Sequence, residues 1–373
     1  MKILIASDIC PINRNESVLR QNMIAQQTKD FFCGYDLFLA NLEAPLTEFD
    51  LPGKKYGESL RAHPETLVGL KSLGINLLSL ANNHIMDQNT EGLQSTINAL
   101  NNYNMNWFGA GNNLHEASRP FSFERENNAV SVLAFSEPFF AAASQNRAGV
   151  NDLDVPHIVR SFIAIPNNHF KIVLLHGGNE HCHIPNPALR DTARMLAELG
   201  ADIVVVQHSH CVAGYEEWSG GVIFHGQGNF IFDFPFDNKS WFTGFLIELD
   251  VSNNGLAGYR IIPFEQSPGE TIITIAQNES RQAILDEIAK YSNILKNDDE
   301  YEVEWDKYCE SLRRDYQSIL LGHGDLMFKI NNRTGISDRL MSQKIRMLQS
   351  RTLRSLSHLE VLKNLYSIEK TVR

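Results

Sequence analysis

Polar residues whose side chains bind metals or transfer protons follow five short apolar runs of this 373-residue chain. They are Asp8, the pair Asn41 and Glu43, the run Asn82, Asn83 and His84, the single His176, and the pair His208 and His210. In an open α/β sheet, ligands bind beyond the carboxyl ends of the strands, where the loops converge. Five such strand ends therefore predict one shared site. Their mixture of oxygen and nitrogen donors suits Zn²⁺, Mn²⁺ or iron better than Ca²⁺.

Each of these fragments also has an ordinary structural interpretation. An aspartate after a strand is more often a turn or helix-capping residue, and a lone buried histidine is more often a hydrogen-bonded core residue. The pair His208 and His210 is a stronger signal, because alternate residues of a strand share a face and can hold one ion together. The order of all five fragments along the chain favours a metal site over the structural interpretation.

The apolar runs before these residues are continuous rather than alternating, which is typical of strands covered on both faces in a layered α/β sheet. The runs span residues 2–6, 37–40, 75–81, 171–175 and 201–206. Apolar residues at helical spacing predict amphipathic helices over 90–101 and 187–199, the second ended by Gly200. Turn residues at 127–128 and 254–255 lie between strand-like segments and predict two hairpins.

Composition and charge narrow the class of protein. Hydrophobic residues make up 43% of the chain and charged residues 21%, as in ordinary globular proteins. The net charge of −11 predicts no nucleic-acid partner, because an acidic surface repels a phosphate backbone. Five scattered cysteines without a CxxC pair predict no disulfide framework. The first apolar run is too short for a signal peptide, and no stretch approaches the roughly 18 apolar residues of a membrane span. We therefore expect a cytoplasmic protein.

Taken together, six motifs of the chain resemble a known protein family. They are Asp8, NLE at 41–43, ANNH at 81–84, HGGNE at 176–180, HSH at 208–210 and GQGNFIFD at 226–233. In this order they are similar to those of the CapA family of bacterial capsule and poly-γ-glutamate synthesis proteins, a branch of the calcineurin-like metallophosphoesterases. The resemblance covers residues 1–265. It implies an α/β fold, a four-layer αββα sandwich, holding two adjacent divalent transition-metal ions, Zn²⁺ or Mn²⁺.

The resemblance also implies roles for individual residues. The metal-ligand positions match Asp8, Glu43, Asn83, His176, His208 and His210. His84 matches the residue that lies beside the leaving group and donates a proton to it. The residues expected to support the ligands or to contact the substrate are Glu180, Asn41, Asn229, Arg61 and His63. For Arg61 and His63 there are two interpretations, binding of a substrate anion or capping of a helix.

Three positions depart from the family pattern. Cys10 stands where the superfamily carries a histidine, so it is either a soft ligand that favours zinc or a buried side chain. Glu43 replaces an aspartate and lengthens the arm that would bridge the two ions. Gln207 replaces a glycine before the final histidine pair, which predicts altered access to that metal.

The chain changes character after about residue 268. Residues 279–321 are typical of acidic helices, and residues 333–373 are typical of basic ones. We therefore predict a metal-binding domain over 1–268, able to fold alone, and a helical region over 269–373. The basic helices have four candidate contacts, namely a second copy of the chain in a homodimer, the acidic helices upstream, an anionic polymer and an acidic lipid surface.

The chemistry expected from this site is metal-dependent hydrolysis of a phosphoester. The resemblance implies an anionic small molecule or polymer as substrate, in capsule, envelope polysaccharide or poly-γ-glutamate metabolism. Two alternatives stand beside this prediction. One is a non-hydrolytic accessory protein in capsule polymer assembly, and the other is a metal-dependent hydrolase of amide or glycosidic bonds.

Overall fold

The helices and strands come from a computed structural model that describes residues 1–53, 55, 57–137, 141–234, 239–252, 255–266, 272–316 and 355–367. In these ranges the strands are β1 (Lys2–Cys10), β2 (Leu37–Leu42), β3 (Leu77–Ser79), β4 (Asn106–Phe108), β5 (Ala110–Gly111), β6 (Phe121–Arg125), β7 (Asn128–Ser136), β8 (Gly149–Val150), β9 (Phe170–His176), β10 (Ile203–Gln207), β11 (Tyr215–Trp218), β12 (Gly221–Phe224), β13 (Asn229–Phe232), β14 (Thr243–Ser252), β15 (Gly255–Gln266) and β16 (Ile273–Ile275). The helices are α1 (Arg14–Arg20), α2 (Gln26–Phe31), α3 (Leu67–Ser72), α4 (Asn89–Asn102), α5 (Leu114–Ala117), α6 (Val155–Ile163), α7 (Pro187–Glu198), α8 (Asn278–Leu295), α9 (Asp298–Ser311) and α10 (Leu356–Leu365).

Most of the strands belong to two large sheets. The first has the order β16-β15-β14-β1-β2-β3-β4, and β13 pairs in parallel with the last residues of β1. The second has the order β11-β12-β10-β9-β7-β6. Neighbouring parallel strands, such as β1 with β2 and β9 with β10, bring their carboxyl ends to one edge. That edge is where the predicted site residues follow the strands.

The two sheets pack face to face, with a layer of helices on each outer side. Ile5 of the first sheet and Ile172 of the second share the core between the sheets. Helices α1, α3 and α4 cover the outer face of the first sheet through side chains such as Leu70 and Leu93. Helices α6 and α7 cover the second sheet in the same way, for example through Leu196. This arrangement is the four-layer αββα sandwich predicted from the sequence.

The elements predicted from apolar patterning are confirmed. β1 extends beyond its apolar run as far as Cys10, so it includes Asp8. β9 extends beyond its run to His176, which is itself a site residue. β3 is shorter than its run. Strands β6 and β7 form the first predicted hairpin, with Arg125 opposite Asn128. Strands β14 and β15 form the second, although Asn254 in its turn lies outside the described residues.

The helices after residue 272 contact the sandwich directly. Ile284 and Ile288 of α8 are buried in the core between the two sheets. Gly214 lies so close to α8 that a Cβ there would be 2.4 Å from the backbone nitrogen of Ser292. Helices α9 and α10 form a further apolar cluster with α8 and with Cys182. The predicted division of the chain at residue 268 stays a prediction, and these contacts give the means to test it.

Two other predictions concern the basic carboxy-terminal segment and the cellular location. Of the basic segment 333–373, the described residues include only 355–367, so the proposed dimer contact stays a prediction. Across the described ranges, every helix is too short or too polar to cross a lipid bilayer. The cytoplasmic location likewise stays a prediction.

The contribution of α8 to the core can be measured by truncating Ile288. Replacing this buried side chain with alanine should lower the free energy of unfolding of the whole sandwich by about 2–5 kcal/mol. Val303 of α9 is exposed, so Val303→Ala is the matched control and should change stability by less than about 0.5 kcal/mol. Urea unfolding followed by fluorescence gives both values. If Ile288→Ala left the main transition unchanged, the helical region would fold as a separate domain.

Candidate metal centre

Asp8 owes its position to an irregularity in β1. The register of β1 against β2 shifts between Ile5 and Asp8, and a second shift against β13 follows Asp8. Such bulges re-aim side chains and leave backbone groups without ladder partners. Here the Gln227 amide donates to the Ile5 carbonyl at 3.0 Å, and the Gln207 amide donates to the Ala6 carbonyl at 3.2 Å. Gln207, the departure from the family pattern, therefore ties the end of β10 to the bulge.

The carboxylates of Asp8 and Glu43 are fully buried beside one another. Among the described residues, Oδ2 of Asp8 and both carboxylate oxygens of Glu43 lack a hydrogen-bond partner. Burial, followed by the charge of Glu43, raises the pKa of Asp8 above its ordinary value. Burial also acts to raise the pKa of Glu43, but His210 and His176 lower it to about 2. Bound cations would offset the charge of such a buried anionic pair.

Three histidines surround the two carboxylates. Nε2 of His176 lies 3.4 Å from Oε1 of Glu43, and Nε2 of His210 lies 3.8 Å from the same oxygen. The rings of His176 and His208 have centroids 4.9 Å apart. His208 and His210 have φ angles of 98° and 56°, in the left-handed region. Each such residue carries strain of about 1–3 kcal/mol, which concentrates at functional sites.

Asparagine side chains fix the orientation of the ligand rings. The Asn229 amide donates to the Trp241 carbonyl, so its oxygen faces Nδ1 of His210 at 2.8 Å. Nδ1 of His210 therefore carries the proton, and Nε2 has its lone pair free to bind a metal. Asn41 donates to Asp8 at 2.8 Å and lies 3.2 Å from Nδ1 of His176. Both asparagines therefore contact the candidate ligand side chains, and their supporting role stays a prediction.

The turn after β3 presents Asn83 and His84 in different directions. The side chain of Asn82 accepts from the backbone nitrogens of His84 and Ile85, which holds the turn. The Asn83 oxygen lies 2.9 Å from Nε2 of His176, inside the proposed ligand set. The roles of Asn83 as a metal ligand and of His84 as a proton donor stay predictions.

The imidazole of His84 belongs to a buried charge network. Nδ1 of His84 lies 2.7 Å from Oδ2 of Asp87, which also accepts from the backbone nitrogen of Leu60. The ammonium of Lys55 bonds to Oδ1 of Asp87 and lies 3.1 Å from Nδ1 of His84. Sequence analysis had not singled out Lys55, because it lies in a loop with no distinguishing pattern beyond a pair of lysines. Asp87 and Lys55 together orient the His84 ring.

Two groups of side chains have the geometry to hold one ion each. The first is Glu43, His176 and His208, and the second is Asp8, Glu43 and His210. Within each group the donor atoms lie within 4.8 Å of one another. Glu43 belongs to both groups. The carboxylate oxygens without hydrogen bonds fit divalent cations, and the histidine nitrogens fit zinc or manganese.

Cys10, Glu180 and Arg61 lie outside the two metal-ligand groups. Cys10 packs in the helix-side core of the first sheet and is absent from both metal-ligand groups. Burial and the nearby Glu43 and Asp87 raise the pKa of its thiol well above the ordinary value, which agrees with the buried interpretation. Glu180, at the rim, lies 3.9 Å from Nε2 of His208. Arg61 instead contacts the Phe49 carbonyl and Asp50.

His63 is also placed away from the centre. Its Nδ1 accepts from the backbone nitrogen of Glu65 at 3.2 Å, which caps the short 3₁₀ helix Pro64–Thr66. Its Nε2 lies 3.3 Å from Glu48. Of the two interpretations of His63, capping is the one that these contacts support.

Replacing Asp8 with asparagine tests whether the buried charge serves metal binding. Asp8→Asn should raise the unfolding free energy of the chelator-treated protein by roughly 0.5–2 kcal/mol, since it removes a buried charge beside Glu43. The same variant should lose most of the stabilisation that added Mn²⁺ gives the unaltered chain. Asp250, exposed on β14, provides the control variant Asp250→Asn. Equal metal stabilisation in Asp8→Asn and the unaltered chain would contradict the assignment of Asp8.

Two proteins from Bacillus species are similar to this chain in sequence. A chain described as "PGA biosynthesis protein CapA", from Bacillus subtilis, is 28% identical over 283 residues, which are 72% of each chain. "Capsule biosynthesis protein CapA" from Bacillus anthracis is 26% identical over 255 residues, covering 66% of this chain and 62% of that one.

Likeness to solved structures is more remote. A phosphatase from Mycoplasma pneumoniae has a TM-score of 0.41 and 12% identity, covering 70% of this chain and 92% of that one. At that distance the likeness carries no weight for the activity of this chain. The family model "Bacterial capsule synthesis protein PGA_cap", by contrast, matches residues 3–234, more than half of the chain. The resemblance to CapA proteins is confirmed, and this chain belongs to the bacterial capsule synthesis protein family PGA_cap.

Proposed function

We propose that this chain is a hydrolase of the phosphoesterase type that works with two divalent transition-metal ions. The observation that carries the proposal is the buried pair Asp8 and Glu43, whose oxygens without hydrogen bonds face three histidines. Asp8, Glu43, Asn83, His176, His208 and His210 would hold the ions. When bound, two such ions supply an acidified water molecule and positive charge beside a phosphoryl group.

The side chain that would donate a proton during bond cleavage is His84. The Asp87 carboxylate and the Lys55 ammonium both lie against Nδ1 of His84, so the other ring nitrogen, Nε2, is the one available to a leaving group. Lys55 offsets the charge of the buried Asp87 carboxylate and helps to keep the imidazole in one orientation. General-acid catalysis by a placed side chain contributes about 10²–10⁴ in rate.

The substrate proposed is an anionic phosphoester, as a small molecule or within a polymer. Because the relatives are described as PGA and capsule biosynthesis proteins, we place the substrate in capsule, envelope polysaccharide or poly-γ-glutamate metabolism. A relative from Mycobacterium tuberculosis, 29% identical over 213 residues, is described as a probable polyglutamine synthesis accessory protein. That description favours a non-hydrolytic accessory role as the second candidate.

Assays with model substrates separate these candidates. Hydrolysis of bis(p-nitrophenyl) phosphate by the metal-loaded chain supports the phosphoesterase. Cleavage of only an amide or glycosidic substrate would favour a metal-dependent hydrolase of that bond. Absence of hydrolysis in every assay, with metal bound, would favour the accessory role.

The role of His84 predicts a dependence on the leaving group. His84→Ala should keep fold and metal content but lose about 10²–10⁴ in turnover on an alkyl phosphoester, whose departing oxygen needs a proton. With p-nitrophenolate as leaving group, the loss should be much smaller, because that oxygen leaves as a stable anion. Turnover numbers for the two substrates give the comparison.

His115→Ala is the control for this experiment, since His115 is exposed on α5 and should leave both rates unchanged. An equal loss with both leaving groups, or loss of a metal ion, would contradict proton donation. Either result would make His84 a metal ligand, a group that stabilises charge in the transition state, or a structural residue.

A further inference from the structure

Another buried carboxylate, that of Glu137, lies beside the metal centre but outside both metal-ligand groups. It follows directly after β7, and its backbone nitrogen donates to the carbonyl of His176 at 2.9 Å. The ligand His176 and Glu137 therefore occupy neighbouring strand ends of the second sheet. The proposed hydrolysis gives Glu137 no role, so its burial needs another explanation.

The hydrogen bonds of Glu137 come mainly from the far end of the chain. Oε1 accepts from the Ser355 hydroxyl and from the Ser357 backbone nitrogen, both at 2.8 Å. Oε2 accepts from the Ser357 hydroxyl at 2.6 Å and from the backbone nitrogen of Gly178 at 3.3 Å. Ser355 is the N-cap of α10, so the carboxylate also faces the positive end of that helix.

Glu137 and Ser357 also contact the loop that leaves the metal centre. This loop, residues 177–186, begins directly after His176. A Cβ at Gly177 would lie 3.2 Å from Cβ of Glu137, and Gly178 has φ of 103°, so both glycines suit a close turn over Glu137. Asn179 donates to the Ser357 carbonyl at 3.4 Å, and Asn186 donates to its hydroxyl at 3.3 Å.

The loop carries a residue of the site rim. Glu180 points its carboxylate to His208, and its carbonyl accepts from the Tyr308 hydroxyl of α9 at 3.3 Å. The loop is thus held between the metal centre on one side and α9 and α10 on the other. Movement of residues 177–186 would displace Glu180 and loosen the turn that follows His176.

We propose that Ser355 and Ser357 are positioning residues of the metal centre, which act through Glu137 to hold the loop 177–186. Without their donors, Glu137 would be a buried carboxylate with too few hydrogen bonds, and the loop would open to bring water to it. The carboxy-terminal helices would then be part of the site's support. The effect on metal binding rests on the proposed function, whereas the effect on the loop does not.

The test uses the full-length double variant Ser355→Ala/Ser357→Ala and measures hydrogen exchange by mass spectrometry together with Mn²⁺ affinity by titration. We expect faster amide exchange confined to residues 177–186 and the first turn of α10. We also expect Mn²⁺ binding to weaken about tenfold, the lower end of the effect of losing a group that supports a ligand. The double variant Ser355→Thr/Ser357→Thr keeps both hydroxyls and should restore both properties.

Ser280→Ala is the matched control, because Ser280 lies at the start of α8 and Glu137 accepts no hydrogen bond from it. Exchange in 177–186 equal to that of the control would overturn the proposal, and so would an increase spread evenly over the chain. Should the double variant fail to fold, Glu137→Gln keeps the shape of the side chain and is judged by the same two outcomes. If the unaltered chain bound no Mn²⁺, the proposed function would fail, while the exchange measurement would still decide the role of the serines.

Discussion

The repulsion between two buried carboxylates, Asp8 and Glu43, is the constraint on which the rest of this centre depends. Both side chains lie in the interior, where an uncompensated charge is strongly unfavourable. Within the described part of the chain, hydrogen bonds satisfy one of their four oxygens, the Oδ1 of Asp8 that accepts from Asn41. His210 and His176 favour the charge of Glu43, and the apolar area that the two sheets and their helices bury offsets the remaining cost of the pair. The stability of the sandwich thus supports a centre that is unfavourable without cations.

Several local features of the backbone position the residues of this centre. The bulge in β1 turns Asp8 toward the second sheet, and the amides of Gln207 and Gln227 satisfy the carbonyl groups that the bulge releases. His208 and His210 adopt left-handed backbone conformations that neither residue favours. Strain of this kind persists where the surrounding structure enforces it. The carboxy-terminal contact of Glu137 extends the same pattern, because it fixes the turn that follows His176.

Much of this centre was predictable because strand ends and site residues coincide. Continuous apolar runs marked β1, β2, β9 and β10, and parallel strands bring their carboxyl ends together whatever the details of packing. Pairings between distant segments were not predictable. Glu137 and Ser357 are 220 residues apart, and neither belongs to a recognisable pattern. Lys55 and the bulge in β1 likewise depend on tertiary contacts that leave no periodic signal.

Charge along the sequence does not show which face of a helix is buried. The change in charge after residue 268 predicts a separate helical region, and that division stays a prediction, while Ile284 and Ile288 of α8 contact the core between the two sheets. Only Ala62 separates Arg61 from His63 in the sequence, and both residue types suit an anion. In the structure both side chains contact nearby residues. His63 caps a helix, and Arg61 lies beside Asp50.

The most direct test of the central claim is elemental analysis of the full chain, purified without chelator and reconstituted with Mn²⁺ or Zn²⁺, beside a Glu43→Gln variant. Because Glu43 belongs to both metal-ligand groups, the account predicts about two ions per unaltered chain and loss of both in the variant. No bound metal in the unaltered chain after reconstitution, or an undiminished metal content in Glu43→Gln, would contradict it.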